Sequence, residues 1–227
     1  MPSILDNIKL WHWPACCTLC HRWCRGAFCA TCDAALPRLP LSCCPQCALP
    51  TLDGGRCGGC IADPPRFDAS YAALRYGGEV AQLITAAKYA GRWPLWRTLA
   101  DLLALRLPAI ADVDVLVPMP LHTKRLRERG FNQSAEIAGV LAARTGLPLR
   151  HDLASRIRDT GQQSRLSLSK RKLNLRGAFA ATSGVQGLRI AIIDDVMTSG
   201  LTLDTLAAAL KRAGAQHVEA WVVARTL

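Results

Sequence analysis

The sequence predicts an α/β chain: a parallel sheet with helices on its faces, preceded by a small cysteine-rich module. Three observations carry this. All 11 cysteines lie between Cys16 and Cys60. Beyond them, apolar runs of strand length alternate with stretches of helical periodicity, the pattern of a sheet built from crossover units. Between the two regions stands "IADPPRFD", where Pro64 and Pro65 disfavour helix and mark a linker. Residues 1–63 therefore read as the cysteine-rich module and 64–227 as the α/β domain. With 227 residues at 50% hydrophobic content, the chain can bury a core, which argues against disorder.

The elements follow in order. "DASYAALRY" reads as a strand, "EVAQLITAAKYAG" as a helix with a glycine stop, and "LWRTLADLLALRL" as a second helix. "VDVLVPMP" is a short, nearly continuous apolar strand. "NQSAEIAGVLAARTG" is a helix entered from polar residues and closed by Gly146. "LRIAIIDD" is another buried-type strand, "LTLDTLAAALKRAG" the helix after it, and "HVEAWVVART" a last strand. In such sheets ligands sit at the carboxyl ends of the strands.

In the module, four C-x-x-C pairs stand in succession: Cys17/Cys20, Cys29/Cys32, Cys44/Cys47 and Cys57/Cys60. Each can form a tight turn offering two thiolates, and two pairs complete a tetrahedral zinc site. The pattern fits a double zinc ribbon with one or two structural Zn2+. A segment this small buries little apolar surface, so the metal would supply folding free energy. No thioredoxin-like context accompanies the pairs, which speaks against redox chemistry or an iron–sulfur cluster. Sequential pairing gives two ribbons, and a cross-braced pairing of first with third is the alternative. Cys16, Cys24 and Cys43 are left over, and Cys16 or Cys43 could replace a neighbour as ligand. His12 and His21 are not counted as ligands.

The formal net charge is +11, which points to an anionic partner: phosphates, nucleic acid or an acidic surface. No run approaches the roughly 18 apolar residues of a spanning helix. The N-terminus lacks a basic region followed by a long apolar run, so it is no signal peptide, and a cytoplasmic location is expected. There, clustered thiols stay reduced and bind metal.

The chemistry concentrates in "IAIIDDVMTSGLTLDTL", Ile190 to Leu206. Asp194 and Asp195 would end a buried strand in the crevice. Thr198, Ser199, Gly200, Leu201 and Thr202 then feed a helix whose free N–H groups, with the hydroxyls, make an anion nest. Carboxylates beside a phosphate cradle suit a phosphorylated sugar. The stretch is neither a Walker A loop nor G-x-G-x-x-G. Capping by Asp195 or Thr198 would explain one polar residue, but not two acids followed by T-S-G-x-T.

This run resembles the phosphoribosyl pyrophosphate (PRPP) signature of type I phosphoribosyltransferases. The resemblance implies that Asp194 and Asp195 bind the ribose hydroxyls, as the catalytic acids. It implies that Thr198 to Thr202 enclose the 5-phosphate. "VPMPLHTKRLRERGFNQS", Val117 to Ser134, and "RIRDTGQQSRLSLSKRKLNLRGAF", Arg156 to Phe179, resemble segments of ComF-type, GntX-like proteins. With the cysteine pairs, the resemblance covers nearly the whole chain. One departure is mild: "TGQQ" lacks the proline often found between the Thr and the Gln. By resemblance, Pro120, His122, Lys124, Arg125 and Arg129 belong to a pyrophosphate loop, with Arg127 adding charge. Arg158, Thr160, Gln163, Arg171 and Asn174 belong to a flexible loop that closes over the reacting centre.

The family likeness implies natural competence and the handling of imported DNA, with PRPP, single-stranded DNA and competence proteins as candidate partners. An active enzyme would displace pyrophosphate from the anomeric carbon, with Mg2+ held mainly by PRPP and with Arg and Lys stabilising the leaving charge. No Cys-His or Ser-His nucleophile is present. His122 could equally contact phosphate or serve structure. The acceptor is open. The alternative reading is an adaptor that binds nucleic acid through its basic surface and uses PRPP only as a ligand. Trp11, Trp13, Trp23, Trp93 and Trp96 read as packing residues rather than stacking platforms.

Overall fold

In a computed structural model, residues 15–92, 94–108, 112–159 and 174–227 are described. They fall into two compact units that divide between Pro37 and Arg38. In chain order the elements are β1 (Ala15–Cys16), β2 (Trp23–Cys24), α1 (Ala30–Ala35), α2 (Gly58–Ala62), β3 (Ala69–Arg75), α3 (Gly78–Tyr89), α4 (Pro94–Ala104), β4 (Val115–Pro118), α5 (Thr123–Arg129), α6 (Gln133–Thr145), β5 (Ala154–Arg156), β6 (Phe179–Ala181), β7 (Arg189–Met197), α7 (Leu201–Arg212) and β8 (His217–Arg225).

The small unit pairs β1 with β2 antiparallel across a turn from Cys17 to Arg22, closed by the Cys17 amide donating to the Arg22 carbonyl at 2.7 Å. Among its described residues only Cys17 and Leu36 are buried, far short of a core that could fold it alone. Trp23 is 74% exposed and packs on little, unlike the packing role expected of it.

The larger unit is built on a parallel sheet in the order β3-β8-β7-β4. The inner strands β7 and β8 are buried on both faces, and every residue from Val218 to Ala224 is buried. That is why these strands read as unbroken apolar runs rather than alternating ones. On one face, Leu203, Leu206 and Leu210 of α7 pack with Ile190 and Ile192 of β7 and Val218, Ala220 and Val222 of β8. The helices α4 and α6 pack against each other and against the opposite face. The Asn132 side chain caps α6 by accepting from the Ser134 amide at 3.0 Å, and Gly146 ends the helix at φ 74°.

Two elements depart from expectation. The basic stretch after β4, read as a loop, is largely the helix α5. His122 Nδ1 accepts from the Lys124 amide at 3.3 Å to start it, and Gly130 stops it at φ 81°. The strand read as ending at Asp195 continues to Met197, where its register with Arg225 closes.

Compactness divides the chain after Pro37, inside the span that chemistry groups as one cysteine-rich module. Residues 38–50 lie along β3: the Leu39 amide donates to Ala73 at 3.0 Å and the Ser70 amide to Pro45 at 2.9 Å. Leu39 and Ala48 join the main core beside Phe67 and Ala72. No helix among the described residues is long and apolar enough to cross a membrane.

Candidate functional site

The cysteines resolve their pairing. Cys17, Cys20, Cys29 and Cys32 form one group and Cys44, Cys47, Cys57 and Cys60 another, with the sulfurs of each within 4.8 Å of one another. Sequential pairing is thus the arrangement present, and Cys16, Cys24 and Cys43 stand outside both groups. Zn–S bonds of about 2.3 Å on a tetrahedron put sulfurs about 3.8 Å apart. The Cys20–Cys29 and Cys47–Cys57 Sγ separations, 3.6 and 3.5 Å, are close to that edge. Both groups therefore fit a structural Zn2+.

The acids of β7 sit where the sheet meets the first turn of α6. Ser134 Oγ donates to Asp194 Oδ1 at 2.9 Å, and the Asp195 amide donates to the same oxygen at 2.9 Å. Gln133 Nε2 donates to Asp195 Oδ1 at 3.3 Å, while the Lys88 ammonium of α3 pairs with Asp195 Oδ2. Burial, and then the neighbouring Asp195 carboxylate, push Asp194 up to about 7, against the pull of Ser134 and Lys88. Asp194 thus carries less than its full negative charge near neutral pH.

After Met197 the chain turns through Thr198 and Ser199, both exposed, into Gly200 at φ 75°, the left-handed region that favours glycine. Gly200 is the N-cap of α7, and no side chain caps the helix. Neither Asp195 nor Thr198 fills that role, so the first N–H groups of α7, including those of Leu201 and Thr202, stay available to an anion.

Beside the acids lies a cavity of about 490 Å³. Lys88, Lys124, Arg125 and Arg129 line it against only Glu128 and Asp159, so it is a basin of excess positive charge. Arg129 donates to Gln133 Oε1 at 2.5 Å and to the Tyr89 hydroxyl at 3.1 Å, with its guanidinium 5.3 Å from the Tyr89 ring centroid. Lys124 Nζ lies 3.9 Å from Asp159. Burial, and then the like charge of Arg125, depress the Arg156 guanidinium from its ordinary value. Crowded cations of this kind favour a multiply charged anion. His122 has a structural part, its Nδ1 accepting the α5 cap, and that bond leaves its Nε2 uncommitted. Pro120 lies in the turn between β4 and α5.

Arg158 donates to the Arg176 carbonyl at 2.6 Å, closing the base of the excursion between β5 and β6. Asn174 heads the returning segment, while Thr160, Gln163 and Arg171 lie outside the described residues. The sequence reading passed over Lys88, Tyr89, Gln133 and Ser134 as site residues. For Gln133 and Ser134 the signal was present in "RGFNQS"; for Lys88 and Tyr89 only the fold brings the end of α3 to β7.

A phosphoribosyl transferase domain model matches residues 132–226, which include α6, β7, α7 and β8. The DNA utilization protein YhgH of Salmonella typhimurium is 34% identical over 227 residues, covering 94% of this chain and 98% of its own. Competence protein F of Haemophilus influenzae is 29% identical, covering 74% and 78%. The solved glutamine PRPP amidotransferase of B. subtilis is 25% identical over 56% of this chain, at a TM-score of 0.40, and this chain spans 26% of that protein. With nearly the whole of both chains aligned to YhgH and a phosphoribosyl transferase domain model matched over residues 132–226, the protein belongs to the ComF/YhgH family.

Proposed function

We propose that the protein binds PRPP with Mg2+ and transfers or senses its phosphoribosyl group in the handling of DNA, as the names of its relatives imply. One observation carries the reading: a buried acid pair, an uncapped helix start and a cation-lined cavity adjoin at one edge of the sheet. Asp194 and Asp195 accept from the ribose hydroxyls. The amides and hydroxyls of Thr198 to Thr202 hold the 5-phosphate. Lys88, Lys124, Arg125 and Arg129 face the pyrophosphate and stabilise the charge that gathers on it as the anomeric bond breaks.

Bound Mg2+ supplies further neutralisation of the diphosphate. Among the described residues only cysteines gather into groups of three or more metal-ligating side chains, which leaves the phosphates as the main ligands of that ion. Lys88 has two assignments in this scheme. Without ligand it neutralises Asp195; with PRPP bound it shares its charge with the leaving group.

Calorimetric titration with PRPP and Mg2+ tests the reading. The wild type is expected to bind, and Asp194→Ala/Asp195→Ala to lose binding; a wild type that does not bind sinks it. The net charge of +11 favours a second reading, an adaptor for single-stranded DNA or a competence protein that holds PRPP only as a ligand. DNA affinity that falls steeply with salt and ignores PRPP, together with the absence of pyrophosphate release, would select it.

A further inference from the structure

Arg225 ends β8 almost wholly buried, and no carboxylate pairs with it in the described structure. Its guanidinium is held by backbone carbonyls. Nε donates to Cys47 at 2.9 Å, and one terminal nitrogen donates to Met197 at 3.1 Å, to Thr226 at 2.6 Å and to Thr198. One side chain therefore grips the turn of the second four-cysteine group and the entry to the phosphate loop together. A groove of about 970 Å³ adjoins both, lined by Cys47, Cys57, Cys60, Ser199, Gly200 and Arg225.

Two physical consequences follow. A trans peptide is planar, so the carbonyl of one residue and the amide of the next point in opposite directions. The Met197 carbonyl also accepts from the Thr226 amide at 3.0 Å, so Arg225 reinforces the ladder there and holds the Thr198 carbonyl beyond it; with both carbonyls turned toward Arg225, the amides of Thr198 and Ser199 face away from it. A buried cation also needs compensation. Four thiolates around one Zn2+ leave the centre net negative, and that centre lies against Arg225 through Cys47.

We propose that Arg225 is a positioning residue that couples the second four-cysteine group to the phosphate loop, so that metal in the one sets the backbone of the other. This rests on reading Thr198 to Thr202 as the phosphate cradle. Coupling is reciprocal: a ligand in the loop holds the metal more tightly by the factor by which the metal tightens the ligand.

The test uses the full chain in a Cys17→Ser/Cys20→Ser background, where the second group is the one intact four-thiolate site. Peptide-resolved hydrogen exchange is measured zinc-loaded and metal-stripped, with Arg225 intact, as Arg225→Met and as Arg225→Lys. With Arg225 intact, stripping is expected to raise exchange of the Thr226 amide, which donates to the Met197 carbonyl at the loop entry at 3.0 Å, about tenfold, the scale of a lost charged hydrogen bond. Zinc-loaded Arg225→Met should reach the same rate while retaining its metal, and stripping it should add nothing further there. PRPP affinity should fall about tenfold in Arg225→Met and about threefold in Arg225→Lys, which keeps the charge but reaches fewer carbonyls.

Thr226 exchange that ignores stripping while Arg225 is intact overturns the coupling. So does an Arg225→Met chain that binds PRPP as tightly as the parent. If Arg225→Met does not fold, Arg225→Lys decides by the same criteria. A parent that binds no PRPP overturns the phosphate reading alone, because the exchange measurement still decides the coupling.

Discussion

The two four-cysteine groups are built alike and embedded differently. In each, the first pair turns through a residue in the left-handed region, His21 at φ 60° and Ala48 at φ 56°. The amide of that residue returns to the carbonyl of the first cysteine at 2.9 Å in both cases. In each, the third cysteine caps a short helix in the same backbone conformation, Cys29 at φ −73°, ψ 159° and Cys57 at φ −71°, ψ 158°. Around the first group almost nothing is buried. Around the second, Cys44, Cys47 and Cys60 are buried and Leu39 and Ala48 belong to the main core. The local motif thus fixes ligand geometry, while the surroundings decide what depends on the metal. A metal held by the first group would supply nearly the whole folding free energy of the small unit, whereas the second group and the sheet would support each other.

The largest expected effect separates the two directly. Cys44→Ser/Cys47→Ser should lower the melting temperature of the larger unit by roughly 10 °C or more, from the loss of several kcal/mol. Cys17→Ser/Cys20→Ser should disorder residues 15–37 and leave that melt within about 1 °C, because no comparable core rests on them. Calorimetry with metal analysis checks both, and equal shifts would break the comparison.

A second prediction isolates a pH effect that belongs to the larger unit alone. Asp194 holds its proton up to about 7 when folded, against about 3.9 in an unfolded chain. Between those values the native state binds more protons, so the stability of the larger unit falls as pH rises through that window and levels off above it. Asp194→Asn removes this loss. Its melting temperature should exceed the wild type by roughly 3–6 °C at pH 8 and by much less at pH 5. A gain that is equal at the two pH values would refute the assignment. Metal release from the first group should not change with the substitution.

Gly200→Ala comes next. The added methyl meets Met197 Sδ at an ordinary 3.5 Å, so the cost is backbone strain at φ 75°. That strain is worth about 1–2 kcal/mol, or a few °C of melting temperature, with a larger proportional loss in PRPP titration. The smallest effect belongs to Trp23→Ala. This exposed aromatic in the small unit should leave zinc content unchanged and shift any transition by less than about 1 °C.

Periodicity made the four strands of the sheet and the helices α3, α4, α6 and α7 legible, because each buries a face that the sequence must supply. The acid pair and the loop after it were legible because D-D-x-x-T-S-G-x-T has few competing explanations. α5 was not, because dense charge in "HTKRLRERG" hides a helix that His122 and Gly130 delimit. Lys88 was not, because a cation in the last turn of a helix already has a sufficient reason in the helix dipole. Its partner Asp195 lies far along the chain. The attachment of the second four-cysteine group to the sheet was also hidden. It rests on backbone bonds from Leu39 and Pro45 to β3 and on Arg225, and spacing carries none of these.

The last strand among the described residues, β8, lies in the interior of the sheet between β3 and β7. During synthesis the cysteines of both groups are complete by Cys60, so metal can be captured while the rest of the chain is still being made. The sheet cannot be complete, because the strand that pairs with β3 is formed by residues 217–225. A nascent chain that has taken up metal at both groups carries finished knots on an unfinished domain, with β3 cut off from the β7–β4 pair until the strand between them emerges. Premature termination before His217 would leave a product that binds zinc yet has no sheet to dock it on, a natural client for chaperones and proteases.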